Sequence, residues 1–419
     1  MLNIIALVIT LTALFSYLNY RFVRLPTTIG VMLIALVLSL LLIGTHHLGW
    51  TYPEELAVAT LSHIDFEELL MQGMLSFLLF AGALHVNLDD LAKQRWVIGV
   101  LATAGVVTST FLVGGAAWLL FDLLGLDIPL IWCLVFGALI SPTDPIAVLG
   151  LLKTAGVPKS LEIKITGESL FNDGIAVVVF LVLLEIAAGG HEVTAGAVGL
   201  LFLEEAVGGI LYGLAIGYVA YRMLRQVDDY RVEVLITLAL VTGGYALAHK
   251  LHVSGPLAMV VAGLFIGNHG RLFAMSPRTR EHLDTFWELV DEVLNATLFV
   301  LIGLELAILT LRGEYLVAGL ATIPVVLAAR FISVGVPIGL MRGIRSFSPN
   351  AVRVMTWGGL RGGISVAMAL GLPPGTTRDA LLTITYIVVV FSILVQGLTI
   401  ERVARATSEP TTPESAEGH

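Results

Sequence analysis

Charged residues are scarce in this chain. Asp, Glu, Lys and Arg make up 13% of its 419 residues, where a soluble domain carries about a quarter. Hydrophobic residues reach 57%, with a mean hydropathy of +0.92. A water-soluble globular domain is thereby excluded. The single cysteine, Cys133, lies in an apolar run, which excludes a disulfide framework and a thiolate metal site. No GxxxxGK[ST] loop occurs, so there is no cradle for a nucleotide phosphate, and no cofactor is expected. The formal charge is −9, but much of the acidic excess falls in connections and in the tail; it identifies no partner, and nucleic acid is not indicated. The first apolar segment, MLNIIALVIT, has no basic stretch before it, and Arg21 and Arg24 come after it. It reads as a span and not as a signal peptide.

What the chain has instead is a succession of apolar runs, each near the length of about 20 residues that crosses a bilayer. They fall near 3–20, 28–43, 68–86, 96–121, 128–150, 160–188, 197–222, 232–249, 255–268, 287–309, 315–341, 351–372 and 379–401. The expected fold is an all-α polytopic membrane protein of about thirteen helices. The run at 53–67 is too acidic to span and is expected to form a short surface helix.

The basic residues test this count. With the N-terminus outside, the inner connections take most of the Lys and Arg, from Arg21 and Arg24 through Lys153, Lys159 and Lys164 to Arg402 and Arg405. The outer connections hold Lys250, Arg312 and Arg378. That asymmetry is the positive-inside pattern, and one missed helix would scramble it. The expected topology is N-out and C-in.

Five charges then fall inside spans: Asp144, Glu168, Asp173, Arg330 and Arg361. Unpaired, they would cost on the order of 12–17 kcal/mol together. They must pair or face water, and the expected partner of Arg330 is Glu168. Glu204, Glu205, Glu288, Asp291 and Glu292 are read as solvated helix-end residues, with an entrance funnel as the alternative; Glu305 is read as a helix-end residue. His46, His47, His63, His191, His249, His252, His269 and His282 are expected at the two surfaces without metal spacing, and His85 as a packing or capping residue.

Three segments carry chemistry. In Ser141-Pro142-Thr143-Asp144-Pro145 two prolines three residues apart should break the helix. At membrane depth a break is tolerated only around a cavity or within protein. The freed carbonyls and the Thr143 hydroxyl can then coordinate a cation, and Asp144 complements the positive end of the following half-helix. The alternative is a structural kink with Asp144 as N-cap. In GESLFNDG, residues 167–174, Ser169 and Asp173 share one helical face and could offer two oxygens to one small ion; Glu168 and Asn172 share the adjacent face. The alternative is an acidic pair that bridges helices. In Trp357-Gly358-Gly359-Leu360-Arg361-Gly362-Gly363-Ile364-Ser365, four glycines weaken the helix around one arginine. Interrupted helices at matching positions of two halves point to an inverted-repeat transporter site. Arg361 would offset the negative ends of the half-helices; a snorkelling interfacial arginine is the alternative.

These motifs, in this order and with Arg330 before the last, resemble the NhaP-type sodium/proton antiporters, the electroneutral Asn-Asp branch that includes the animal NHE exchangers. The resemblance covers about 3–401. It implies inverted repeats with two interrupted crossing helices and a homodimer in the inner membrane of a bacterium. It implies a core of helices 96–188 and 315–401 that moves like an elevator against dimerisation helices 3–86 and 232–309, linked by 197–222. It further implies Na+ at Asp173, Ser169 and Thr143 with Asn172 and Asp144 in the site, a structural pair of Glu168 with Arg330, and one-for-one exchange because Asn172 stands where electrogenic relatives carry a second aspartate. Two departures stand out. The tail, 402–419, is short, acidic and expected to be disordered, and FLLFAGALHVNL is uncharged where some relatives place another acid.

The physical logic stands without the family. Desolvation disfavours the charged form of a carboxylate in a cavity of low dielectric, so such a group holds a proton or a sodium ion but not both. If only the neutralised core crosses readily, competition becomes obligatory exchange. Potassium/proton exchange is the alternative within this class. An intramembrane aspartyl protease using Asp144 and Asp173, and a passive channel, fit the basic intramembrane residues and the single-carboxylate site less well.

Overall fold

The computed structural model describes residues 2–47, 68–144, 149, 152, 155–189, 195–307, 309, 312–345, 347–348 and 350–405. The predicted surface helix at 53–67, His63, His191, Lys153 and the tail from 406 lie outside them. Among the described residues all regular elements are helices, with one isolated antiparallel bridge, between Asp144 and Leu360. In chain order these are α1 (Leu2–Leu18), α2 (Thr27–His47), α3 (Leu75–Leu84, after a π-helical stretch Glu68–Met74), α4 (Leu88–Leu123), α5 (Leu130–Leu139), α6 (Lys159–Ala187), α7 (Ala195–Leu224) and α8 (Tyr230–Lys250). Then follow α9 (Gly255–Phe265), α10 (Pro277–Glu305), α11 (Gly313–Met341), α12 (Ala351–Trp357), α13 (Gly363–Leu370), α14 (Thr376–Phe391) and α15 (Gly397–Arg405).

Nine helices among the described residues are long and apolar enough to cross a membrane. The other four predicted spans are helical in a different way, each for a visible reason. α3 is short because its first turns are π-helical. α5 stops at Leu139, ahead of Ser141 and Pro142. α10 begins at Pro277, ten residues before the predicted start, and its first turns are rich in charge. The predicted span 351–372 is two pieces, α12 and α13, separated by Gly358–Gly362. α4 also starts early, because Asn87 caps it by accepting from the Asp89 and Asp90 amides at 2.9 and 3.1 Å. The last helix runs to Arg405, so residues 402–405 of the predicted tail are helical.

α4 packs on α5, α6 and α11, and α11 packs on α14; α10 packs on α2, while α9 packs on α3 and α7. Large apolar side chains such as Leu119, Leu211, Leu235 and Leu320 remain outward and exposed, the surface that lipid solvates. Both interrupted helices are held inside this assembly.

Candidate functional site

Proline chemistry opens the site. Pro142 has no N–H to give, and the chain leaves helical geometry after Leu139. The carbonyls thus released at Ser141 and Pro142 accept from Arg361 Nη1 at 2.6 and 3.0 Å. Arg361 is 2% exposed, so a guanidinium lies in the protein interior at the negative end of α5. Two residues on, the Asp144 amide donates to the Leu360 carbonyl at 2.8 Å. The two breaks meet there. Pro145 and the start of the half-helix predicted after it lie outside the described residues.

Two glycines make the crossing sterically feasible. A Cβ on Gly362 would lie 2.6 Å from Asp144 Cβ, and one on Gly359 would lie 2.6 Å from Arg330 Nε. The unwound segment is tied on its other side by the π-helical turn Ser392–Gln396: the Arg361 amide donates to Ser392 Oγ at 2.8 Å, and Gln396 Nε2 donates to the Trp357 carbonyl at 3.0 Å. Sequence reading passed over Ser392 and Gln396. A Ser and a Gln four residues apart in an apolar run are the signal that could have found them.

Thr143 is the hub on the other strand of the crossing. Its Oγ1 lies 2.9 Å from Ser169 Oγ and accepts from Asn172 Nδ2 at 2.8 Å; its carbonyl accepts from Ser169 Oγ. The Thr143 amide donates to Asn172 Oδ1 at 3.4 Å. Ser169 and Asn172 are each 1% exposed and sit behind Thr143, while Thr143, Asp144 and Asp173 line a cavity of about 970 Å³. The sequence placed Ser169 and Asp173 on one helical face; in the fold Ser169 turns its hydroxyl to Thr143. Asp173 is 7% exposed, and its Oδ1 has no hydrogen-bond partner among the described residues.

Glu168 and Arg330 form a two-pronged ion pair, with Nη2 donating to Oε2 at 2.8 Å and Nη1 to Oε1. They are 1% and 6% exposed. Arg330 Nη2 also reaches the Met355 carbonyl at 3.4 Å, which joins the pair to α12. One turn before Glu168, Lys164 is buried with its Nζ 4.6 Å from the Phe347 ring centroid. Sequence reading assigned Lys164 to a connection, but α6 already begins at Lys159.

The cavity is acidic towards its mouth. Asp90, Lys159, Glu162 and His85 line it from α3, α4 and α6, and Asp284, Glu288, Asp291, Glu292 and Asn295 from α10. Glu288, Asp291 and Glu292 are therefore not helix-end residues: α10 starts ten residues upstream of the predicted span, and these side chains line a cavity in mid-helix. The entrance alternative is the one the fold favours. Glu305 does end α10, but it is 4% exposed and its Oε2 has no hydrogen-bond partner among the described residues. His85 hydrogen-bonds the Ala81 carbonyl at 2.8 Å. His282 stacks on Tyr230 and His269 on Phe265.

Chemically, the arrangement presents carboxylate, hydroxyl and carbonyl oxygens at the inner end of a water-accessible cavity. Hard cations take such ligands. The chain is similar to known proteins. The sequence profile described as "Sodium/hydrogen exchanger, transmembrane" matches residues 8–406. The Na(+)/H(+) antiporter NhaP of Pseudomonas aeruginosa is 53% identical, with 100% of each chain covered. The Na(+)/H(+) antiporter NhaH of Halobacillus dabanensis is 38% identical, covering 88% of this chain and 90% of that one. In structure, the chain is similar to the sodium proton antiporter MjNhaP1 from Methanocaldococcus jannaschii, with a TM-score of 0.73, 19% identity, and 96% and 97% of the two chains covered.

Proposed function

The chain belongs to the sodium/hydrogen exchanger family, and from that premise we propose that it is a secondary active transporter, not an enzyme, exchanging Na+ or Li+ for H+ one for one. The observation that carries this reading is Asp173: a carboxylate 7% exposed, with one oxygen unpartnered, at a cavity wall beside two crossing helix breaks. A buried carboxylate oxygen without a partner is costly, and either a proton or a sodium ion relieves that cost.

In this reading Na+ is held by Asp173 with the Thr143 and Ser169 oxygens, and Asp144 adds negative potential at the same wall. Asn172 supports Thr143, and being neutral it leaves one exchangeable charge in the site. Glu168 with Arg330 is structural, and Arg361 compensates the end of α5. The core carries the ion between the two sides as an elevator moving against the scaffold helices of a homodimer. It crosses only when Asp173 is neutralised, because a bare anion at mid-membrane is expensive. Asp90, Lys159 and Asp284 line the cavity near helix ends that the basic residues mark as inner, and this supports an inward-facing reading of the cavity in a bacterial inner membrane, with the N-terminus outside and the C-terminus inside.

The test is ion-driven proton movement in sealed proteoliposomes, with Asp173→Asn as the comparison. Sodium-dependent dequenching of a pH dye, lost in the variant and indifferent to an imposed potential, is the expected result. Transport surviving in the variant overturns the site, a dependence on potential overturns electroneutrality, and a response to potassium alone moves the substrate to K+.

A further inference from the structure

α10 turns a polar row towards the cavity. Glu288, Asp291 or Glu292, and Asn295 follow one another at single-turn spacing and all line it. At 1.5 Å per residue the row is about 10 Å long. It has a direction. Glu288 is exposed, Asp291 is half-buried and Asn295 is 2% exposed. One turn further, Leu298 packs so tightly on the crossing that a Cβ on Gly363 would lie 2.5 Å from it. The row therefore descends from water to the helix breaks, and Asp291 with Glu292 is its deepest acidic level.

Asp291 is the member turned inward. Its Oδ1 is buried without a hydrogen-bond partner among the described residues, while its main-chain carbonyl accepts from Asn295 Nδ2 at 2.9 Å. Across the same cavity Asp173, 7% exposed, also has an unpartnered Oδ1. Asp144 lines the same cavity. The nearby cations are engaged elsewhere: Lys159 lies 3.6 Å from Asp90 Oδ2, and Arg271 pairs with Asp284. Carboxylates left this way in a cavity call for a mobile positive charge.

We propose that Asp291 forms a second, transient site for a partly hydrated monovalent cation, one step before Asp173 on the inner approach. It rests on the transport reading above. Asp291 stands on α10, which packs on α2, whereas Asp173 and Asp144 stand on α6 and the α5 break, which pack with α4. The two sites face each other only while the cavity is open to this side, so the contribution of Asp291 belongs to one face of the membrane. That asymmetry separates an ion site from a general structural role.

The experiment measures sodium-driven proton exchange in everted and right-side-out vesicles for wild type, Asp291→Asn, Asp291→Glu and Asp173→Asn. Asp291→Asn is expected to raise the sodium KM at the cytoplasmic face by about 3- to 10-fold, with the maximal rate within about twofold and the outer-face KM unchanged. Asp291→Glu is expected to restore the KM, and the outer-face value reports that the variant is folded. An unchanged cytoplasmic KM, an equal shift at both faces, or no rescue by Glu overturns the proposal while the transport reading stands. Transport surviving in Asp173→Asn overturns the principal site, and this one with it.

Discussion

The Asp144 amide donates to the Leu360 carbonyl at 2.8 Å, and through that bond the break of one helix is fastened to the break of another more than 200 residues later. Everything else at the crossing is arranged around it. Arg361, next to Leu360, takes the carbonyls of Ser141 and Pro142, and Gly362 leaves room for the Asp144 side chain.

Gly362→Ala puts a methyl 2.6 Å from Asp144 Cβ. The crossing must then part, at a cost of about 1–3 kcal/mol. Sodium-dependent transport is expected to fall at least tenfold with the protein still assembled, as read by vesicle transport beside a size-exclusion profile. Wild-type rates would contradict the crossing geometry.

Loss of one partner from the Glu168–Arg330 pair leaves a buried charge alone, at a cost of about 3–5 kcal/mol. Glu168→Gln and Arg330→Gln are each expected to lower the melting temperature in detergent steeply. The double variant is expected to recover part of the loss, and additive losses would mean that the two side chains do not act as a pair.

Arg361→Lys keeps a charge but carries it on a stem of different reach and shape, out of register with the Ser141 and Pro142 carbonyls that Nη1 serves. Transport is expected to fall in Arg361→Lys and to fall further in Arg361→Gln. An equal loss in both would assign the role to geometry alone, with no share for charge.

Asn172→Ala removes the donor to Thr143 Oγ1. If Asn172 acts by holding Thr143, the sodium KM rises several-fold while exchange remains insensitive to membrane potential. A variant that becomes sensitive to potential would place Asn172 in the charge balance of the site itself.

If sodium and proton compete for Asp173, as proposed above, the sign of the pH effect is set. Acidification raises proton occupancy of Asp173 and weakens sodium binding, by up to tenfold or about 1.4 kcal/mol per pH unit once the carboxyl is mostly protonated. Calorimetric titration of the purified protein with sodium at several pH values should give an apparent Kd that rises on the acid side. A Kd independent of pH would separate the two ions onto different groups.

Membrane residence, the helical class and both breaks were legible from residue types alone. Apolar length, the prolines of SPTDP and the glycines of GGLRGG act on their own stretch of backbone, and local physics suffices to read them. The start of α10 was misread because Glu288, Asp291 and Glu292 look like the end of a span; only the cavity beside them explains acids in mid-helix. Lys164 was assigned to a connection for the same kind of reason, since the cover that Phe347 provides comes from another part of the chain.

By itself, then, the sequence determined that this protein lives in lipid, that two of its helices break, and that a small set of charges must be satisfied there. Apart from the Glu168–Arg330 pair, which the sequence already suggested, tertiary structure decided who satisfies whom. Ser169 and Asn172 turn to Thr143, Arg361 to the Ser141 and Pro142 carbonyls, and Ser392 to the Arg361 amide, leaving Asp173 with a free oxygen at the cavity. The physical reason is range: propensity and periodicity act within a few turns, whereas these bonds join residues 26 to 220 positions apart and exist only once the helices have docked.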